Sequence, residues 1–410
     1  MSLEQVPASE RIHIGFFGAR NAGKSSLVNA LTGQDVSIVS DVAGTTTDAV
    51  SKSMELLPLG AVLITDTAGY DDDDALLGAQ RIEKTKRELY RTDLAVLVAD
   101  AAKPLSDTEQ SLIRLFEEQK IPYLLALSQC DKLQELPGQL PEHALLVSAK
   151  TGKGIHELKE ALGKLARQDA PERFIIRDLI AEHDLVVLVT PIDESAPKGR
   201  LILPQQQTLR EILDAHASAL VVQPEQLAGL LQSLKTPPRM VVTDSQAFAA
   251  VAGIVPQDVP LTSFSILMAR YKGFLKTAVD GVRALKKLPD GAHILIAEGC
   301  THHRQCNDIG TVKLPKAIGK FTGRQFALSY ASGGSFPTDL EQYDLVIHCG
   351  GCMRTERELQ WRMRTALACG VPFTNYGVTL AACTGILDRA LNLGGGGEPP
   401  RGAEAALQMI

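Results

Sequence analysis

Gly18-Ala19-Arg20-Asn21-Ala22-Gly23-Lys24-Ser25 follows an apolar run at residues 12–17 and opens a helical pattern at 25–31. A strand, a glycine-bounded turn closed by lysine and serine, and then a helix is the context that identifies a phosphate-binding loop. The glycines let backbone N–H groups turn inward, and the helix N-terminus adds positive potential. In such a loop Lys24 reaches the β- and γ-phosphates and Ser25 ligates Mg²⁺. Gly18, Ala22, Gly23 and Ser26 are assigned to the same nucleotide contact.

Further signals follow in order. Asp66-Thr-Ala-Gly69 ends an apolar run at 61–65; Asp66 is suited to holding Mg²⁺ through water and the Gly69 N–H to sensing the γ-phosphate. Between the two motifs lies Ser40-Asp-Val-Ala-Gly-Thr-Thr-Thr-Asp48, whose threonines suit a switch that orders on Mg²⁺ and phosphate. Ser148-Ala149-Lys150, after a strand, resembles the loop that backs a guanine base. The base-reading motif, ordinarily Asn-Lys-x-Asp, reads Ser128-Gln129-Cys130-Asp131. Asp131 still accepts the guanine N1 and N2 protons, so GTP is expected over ATP, with weaker binding than the full motif gives. Together these describe a GTPase domain of the translation-factor type.

Working outward, residues 1–168 alternate apolar runs (12–17, 61–65, 94–99, 123–127, 144–147) with helical patterns (25–31, 81–90, 107–120, 155–166). Strand–helix alternation predicts an α/β fold with a mainly parallel sheet. A linker is expected at 168–172. Two smaller α/β domains should follow: 169–260, whose apolar elements suit either an oligomer interface or a spacer, and 261–410 for the cysteine chemistry below. In the first of these, strands are expected at 185–190, 200–203, 219–222 and 240–243, with helices near 208–217 and 224–234. In the second, a helix near 274–288, strands at 292–297 and 344–347, and a helix at 355–368 are expected, and the tail at 394–402 reads as mobile. The chain has 410 residues, 45% of them apolar and 22% charged, with a formal net charge of −6. That balance argues against nucleic-acid or anionic-membrane partners. No run is long enough to span a bilayer, and the polar N-terminus does not read as a signal peptide, so a cytoplasmic location is expected.

Of seven cysteines, only Cys130 precedes residue 300. Cys300-Thr-His302 and His348-Cys349-Gly-Gly-Cys352 each follow an expected strand, which suits placement at one edge of one sheet. The Gly-Gly turn lets two thiolates face inward, and Cys300 adds a third from a distant segment. Zn²⁺, an Fe–S cluster and a metal-free cysteine cluster all remain compatible with that set. Cys306 and His303 lie close to the first motif, whereas Cys369 and Cys383 read as buried small apolar residues.

Two resemblances sharpen the reading. Asn21 within the loop, with Ala43-Gly-Thr-Thr46, looks like the potassium-activated branch of these GTPases, which includes tRNA-modifying enzymes. That likeness implies Asn21 as a K⁺ ligand, Thr46 as a Mg²⁺ ligand, and slow, K⁺-stimulated hydrolysis. Tyr70 stands where many GTPases carry a water-positioning Gln, and the run Asp71–Asp74 is a candidate for that task. Cys-x-His followed downstream by His-Cys-x-x-Cys, behind such a GTPase, resembles the HydF family of FeFe-hydrogenase maturation GTPases over essentially the whole chain. The resemblance implies a homodimeric scaffold whose Cys300, Cys349 and Cys352 bind a 4Fe-4S cluster, with His302 or His348 as a labile ligand or supporting donor. It also implies a transient diiron precursor received from radical-SAM maturases and passed to apo-FeFe-hydrogenase. The competing readings are a metal- or redox-sensing GTPase and a tRNA-modification or ribosome-assembly GTPase.

Overall fold

The computed structural model describes residues 7–33, 50–57, 59–67, 88–133, 135, 140–167, 173–192, 201–299, 308–333 and 336–393. The chain forms two compact units, Met1–Pro171 and Glu172–Ile410.

In the first unit, β1 (Ile12–Phe17), β2 (Val50–Leu56), β3 (Gly60–Asp66), β4 (Leu94–Asp100), β5 (Tyr123–Ser128) and β6 (Ala144–Leu146) make one sheet. Its order is β2-β3-β1-β4-β5-β6. Only β2 runs antiparallel, on β3; the other pairings are parallel. The sheet is therefore mainly parallel, as the alternating pattern predicts. Period-two geometry sends Ile14, Phe16, Val96 and Val98 to one core and Phe17, Ala95, Leu97 and Ala99 to the other. Covering helices explain why these strands read as unbroken apolar runs. The helix Asp107–Glu118 starts on a capping box: the Glu109 N–H donates to Ser106 Oγ, and Glu109 Oε2 accepts from the Ser106 N–H at 2.8 Å.

The second unit holds two four-stranded sheets. One joins β7 (Leu185–Val189), β8 (Ser218–Val222), β9 (Met240–Thr243) and β10 (Leu261–Ser263) in the order β10-β9-β7-β8. The other joins β11 (His293–Glu298), β12 (Ala327–Ser332), β13 (Leu345–His348) and β14 (Phe373–Asn375) in the order β12-β11-β13-β14. Every pairing in both is parallel. A single core runs through them, from Val187, Val189 and Val241 to Ile294, Ile296, Val346 and Phe373. The helix Phe264–Tyr271 presents Ile266 and Ala269 to this core and Phe264, Leu267 and Met268 to the core on the far side of the first sheet.

Some expectations change. No strand occupies 201–203; a helix, Leu203–Asp214, begins there with proline in its first turn. Strands β2, β10, β12 and β14 add to those expected. β2 reads Val-Ser-Lys-Ser-Met-Glu-Leu, an alternation typical of a half-exposed edge strand. β10 and β14 have three residues each, too few to carry a period. The linker at 168–172, most of the helix expected at 81–90 and the tail at 394–402 lie outside the described residues. Among the described residues, no helix is long and apolar enough to cross a membrane.

Candidate functional site

The phosphate loop is held open by its own backbone. Gly18 takes φ +147°, and a Cβ there would lie 2.2 Å from the Val98 carbonyl oxygen, so only glycine fits between β1 and β4. Asn21 is left-handed at φ +62°, a conformation asparagine tolerates better than most residues. The helix then begins at Lys24. The Lys24 ammonium donates to the carbonyls of Gly18 at 3.0 Å and Ala19 at 2.8 Å, which keeps its charge at the mouth of the loop.

Parallel pairing sets Phe16 beside Asp66, so the Asp66 motif emerges next to the loop. Thr67 fixes that turn by donating its Oγ1 proton to the Phe16 carbonyl at 2.6 Å. Ser25 Oγ donates to Asp66 Oδ2 at 2.6 Å. Asp66 is only 2% exposed, and its Oδ1 has no hydrogen-bond partner among the described residues. A buried carboxylate oxygen left this way fits an oxygen-seeking divalent cation such as Mg²⁺. Thr46, Gly69, Tyr70, residues 43–45 and the acidic run 71–74 lie outside the described residues.

The altered base-reading motif is built into the same site. Ser128 Oγ donates to the Ala22 carbonyl at 2.5 Å. Gln129, itself left-handed at φ +58°, donates from Nε2 to the Asn21 carbonyl at 3.2 Å. Gln129 Oε1 in turn accepts from Lys132 Nζ. Asp131 accepts from Ser148 Oγ at 2.6 Å, and that hydroxyl holds its carboxyl below the usual carboxylate range. Ala149 and Lys150 follow in the turn that links β6 to the helix Ile155–Arg167. The two lashes from positions 128 and 129 to the phosphate loop have no counterpart in the sequence reading.

In the second unit, β11 and β13 are adjacent and parallel, with Ala297 opposite His348, so both cysteine segments leave one sheet edge. Cys300 and His302 lie outside the described residues, as do His303 and Cys306. Gly299 is described, and its N–H donates to Cys349 Sγ at 3.0 Å. The Gly351 N–H donates to the same sulfur at 3.4 Å. Gly351 has φ +63°, the left-handed turn that brings its N–H back toward Cys349. Two backbone donors converging on one sulfur fit a sulfur ligand of a metal centre, where such donors stabilise the bound sulfur. The described residues alone contain no group of three or more potential metal ligands.

His348 sits differently from a labile ligand. Arg362, a donor only, places Nη1 3.0 Å from His348 Nε2, so Nε2 must accept. The proton therefore belongs on Nδ1, which donates to the Cys349 carbonyl at 2.8 Å. Both ring nitrogens are engaged, and the ring is fully buried and stacked on Phe373. Burial, reinforced by the Arg362 guanidinium, pushes its pKa down to about 3. As placed, His348 supports the turn and has no lone pair for a metal. Arg362 also donates from Nη2 to the Gly333 carbonyl at 2.6 Å and to Glu358 Oε1 at 2.7 Å. Cys369 and Cys383 are half-buried against the core, and burial raises the Cys383 thiol to about 11.

These features define the first unit as a P-loop GTPase domain, and residues 13–129 match the family model described as a 50S ribosome-binding GTPase. Residues 175–273 match the hydrogen maturase F dimerization domain and residues 276–393 its tetramerization domain. The chain belongs to the HydF-type GTPases. A tRNA modification GTPase MnmE of Legionella pneumophila (strain Corby) is 37% identical over 174 residues, covering 41% of this chain and 38% of that protein. GTPase Der of Wolinella succinogenes is 35% identical over 177 residues, covering 40% of this chain and 37% of that one. The chain thus spans well under half the length of these relatives. Among solved structures, a point variant of Aquifex aeolicus Era bound to GDP.AlF4⁻ is similar at 20% identity and a TM-score of 0.34, covering 52% of this chain and 92% of that one.

Proposed function

We propose that this chain is a GTP-hydrolysing scaffold that binds a 4Fe-4S cluster and delivers a diiron precursor to apo-FeFe-hydrogenase. The observation that carries the reading is the Gly299 N–H on Cys349 Sγ, which joins the segment entering Cys300 to the His348–Cys352 turn. The match to hydrogen maturase F domains over 175–273 and 276–393 supports it.

On the nucleotide side, GTP is converted to GDP and phosphate. The loop amides from Ala22 to Ser26 and the Lys24 ammonium bind the phosphates. Ser25, Asp66 and Thr46 hold Mg²⁺, which draws charge from the phosphate oxygens, and the Gly69 N–H reads the γ-phosphate. Asp131, with Ser148, Ala149 and Lys150 behind it, reads guanine. Asn21 is the K⁺ ligand, and hydrolysis is slow and faster in K⁺ than in Na⁺. The acidic run 71–74 remains the candidate for orienting water.

On the cysteine side, Cys300, Cys349 and Cys352 hold the cluster. Three protein thiolates leave one coordination position to which a precursor can be tethered, and His302 is the histidine still open to that position. Residues 169–260 serve dimerisation and residues 261–410 the cluster. The partners are a second copy of the chain, the radical-SAM maturases and the apo-hydrogenase, in the cytoplasm. Hydrolysis then times partner exchange.

The test is anaerobic reconstitution with iron and sulfide, followed by EPR, metal analysis and activation of apo-FeFe-hydrogenase by precursor-loaded chain. The expected result is a 4Fe-4S signal and activation, both lost in Cys300→Ser, with GTP turnover favoured by K⁺. One tightly held zinc with no Fe–S signal rejects this reading in favour of a metal-sensing GTPase. Equal turnover in K⁺ and Na⁺ removes the role of Asn21.

A further inference from the structure

Lys272 follows the helix Phe264–Tyr271 as its C-terminal cap and is only 4% exposed. Its ammonium donates to the Gly351 carbonyl at 2.6 Å and to the Arg354 carbonyl at 2.8 Å. These two carbonyls bracket Cys352 and Met353, so the side chain clasps the turn that carries one sulfur and adjoins the other. The clasp is itself fixed, because Gln360 Nε2 donates to the Lys272 carbonyl. Arg354 in the same turn donates from Nε to the Gly299 carbonyl and pairs with Glu358.

We propose that Lys272 is a positioning residue of the cysteine site, pinning the Cys349–Cys352 turn and placing a fixed positive charge beside its sulfurs. This rests on the reading that those cysteines hold an iron–sulfur cluster. A buried ammonium is costly, and a methionine of similar length would fill the space without that cost. The lysine therefore has a role that packing does not supply. Desolvation lowers its pKa to about 8, opposed by the nearby Cys352 and Cys349 sulfurs and by Glu356 and Glu358. At neutral pH the group keeps its proton.

One-electron reduction adds a negative charge to a thiolate-bound cluster, and the surrounding charge sets how readily that happens. Lys272 stabilises the reduced form, so its removal lowers the midpoint potential. Two variants separate the clasp from the charge. Lys272→Met removes both, whereas Lys272→Gln removes the charge but keeps an amide donor for part of the clasp.

The full chain and both variants are reconstituted anaerobically, checked by circular dichroism, and titrated with dithionite and mediators under EPR. Iron retention against a ferrous chelator is followed in parallel. In both variants the reduced-to-oxidised ratio at a fixed potential should fall about tenfold, ~59 mV for one electron. Lys272→Met should also lose iron faster than Lys272→Gln. If Lys272→Met does not fold, Lys272→Gln alone decides by its potential. Wild-type potentials and iron retention in loaded variants overturn the proposal alone. A wild-type chain that takes up no iron overturns the cluster reading, and this proposal with it.

Discussion

Position 128 shows how a side chain that departs from its motif is still tied into the nucleotide site. A serine is too short to act as the customary asparagine toward the base, yet its hydroxyl reaches the Ala22 carbonyl of the phosphate loop. Ala22 is 4% exposed, so losing that donor strands a buried acceptor, at about 1–3 kcal/mol. Ser128→Ala should therefore weaken GTP binding about tenfold by isothermal titration, and an unchanged Kd rejects the coupling. The departure from consensus was legible in the sequence; its remedy was not. Ala22 and Ser128 are 106 residues apart, and only the adjacency of β1, β4 and β5 brings them together. Lys24 and Ser25 were legible because their spacing lies within local strand–turn–helix geometry, and Asp66 because it ends an apolar run in its own Asp-Thr-Ala-Gly motif.

At the scale of elements, the end of β13 and the helix Glu356–Ala368 are joined by His348, Arg362 and Glu358. The strand supplies a neutral imidazole and the helix a guanidinium that requires neutrality. With the folded pKa of His348 at about 3 and the ordinary value at 6.5, the unfolded chain binds the proton first as pH falls. Stability from this group is complete above pH 6.5 and declines as pH drops toward 3, by up to about 1.4 kcal/mol per unit. Urea unfolding of the iron-free chain between about pH 6.5 and 4 should show that slope reduced by about one proton in His348→Gln. An equal slope in both proteins sinks the assignment. Sequence placed both cysteine motifs after strands, because β11 and β13 are short, apolar and bounded by polar turns. It suggested His348 as a ligand because a histidine beside cysteines has ligand chemistry; nothing in the pattern singles out Arg362 on the following helix. The role of that arginine depends on which way the helix faces.

For the whole molecule, the first unit is organised around one sheet and the second around two that share a core. β8 forms one edge of its sheet and leaves Leu220 36% and Val221 40% exposed. An edge with no neighbouring strand among the described residues and with apolar side chains invites pairing with another chain, and it lies within the residues matching a dimerization domain. Val221→Lys should shift the chain toward monomer in light scattering without changing its melting temperature by more than a few degrees; an unchanged oligomer removes β8 from the interface. By itself the sequence determined the GTPase architecture and the clustering of cysteines late in the chain, and it singled out Lys24, Ser25 and Asp66 as candidates for phosphate and Mg²⁺. Those rest on local periodicity and on motifs whose chemistry needs fixed spacing. The tertiary structure decided that Ser128 and Gln129 lash the phosphate loop, that His348 is spoken for by Arg362, and that Lys272 clasps the cysteine turn. Each depends on side chains that meet only after strands from distant segments have paired, and pairing order leaves no local trace in a sequence.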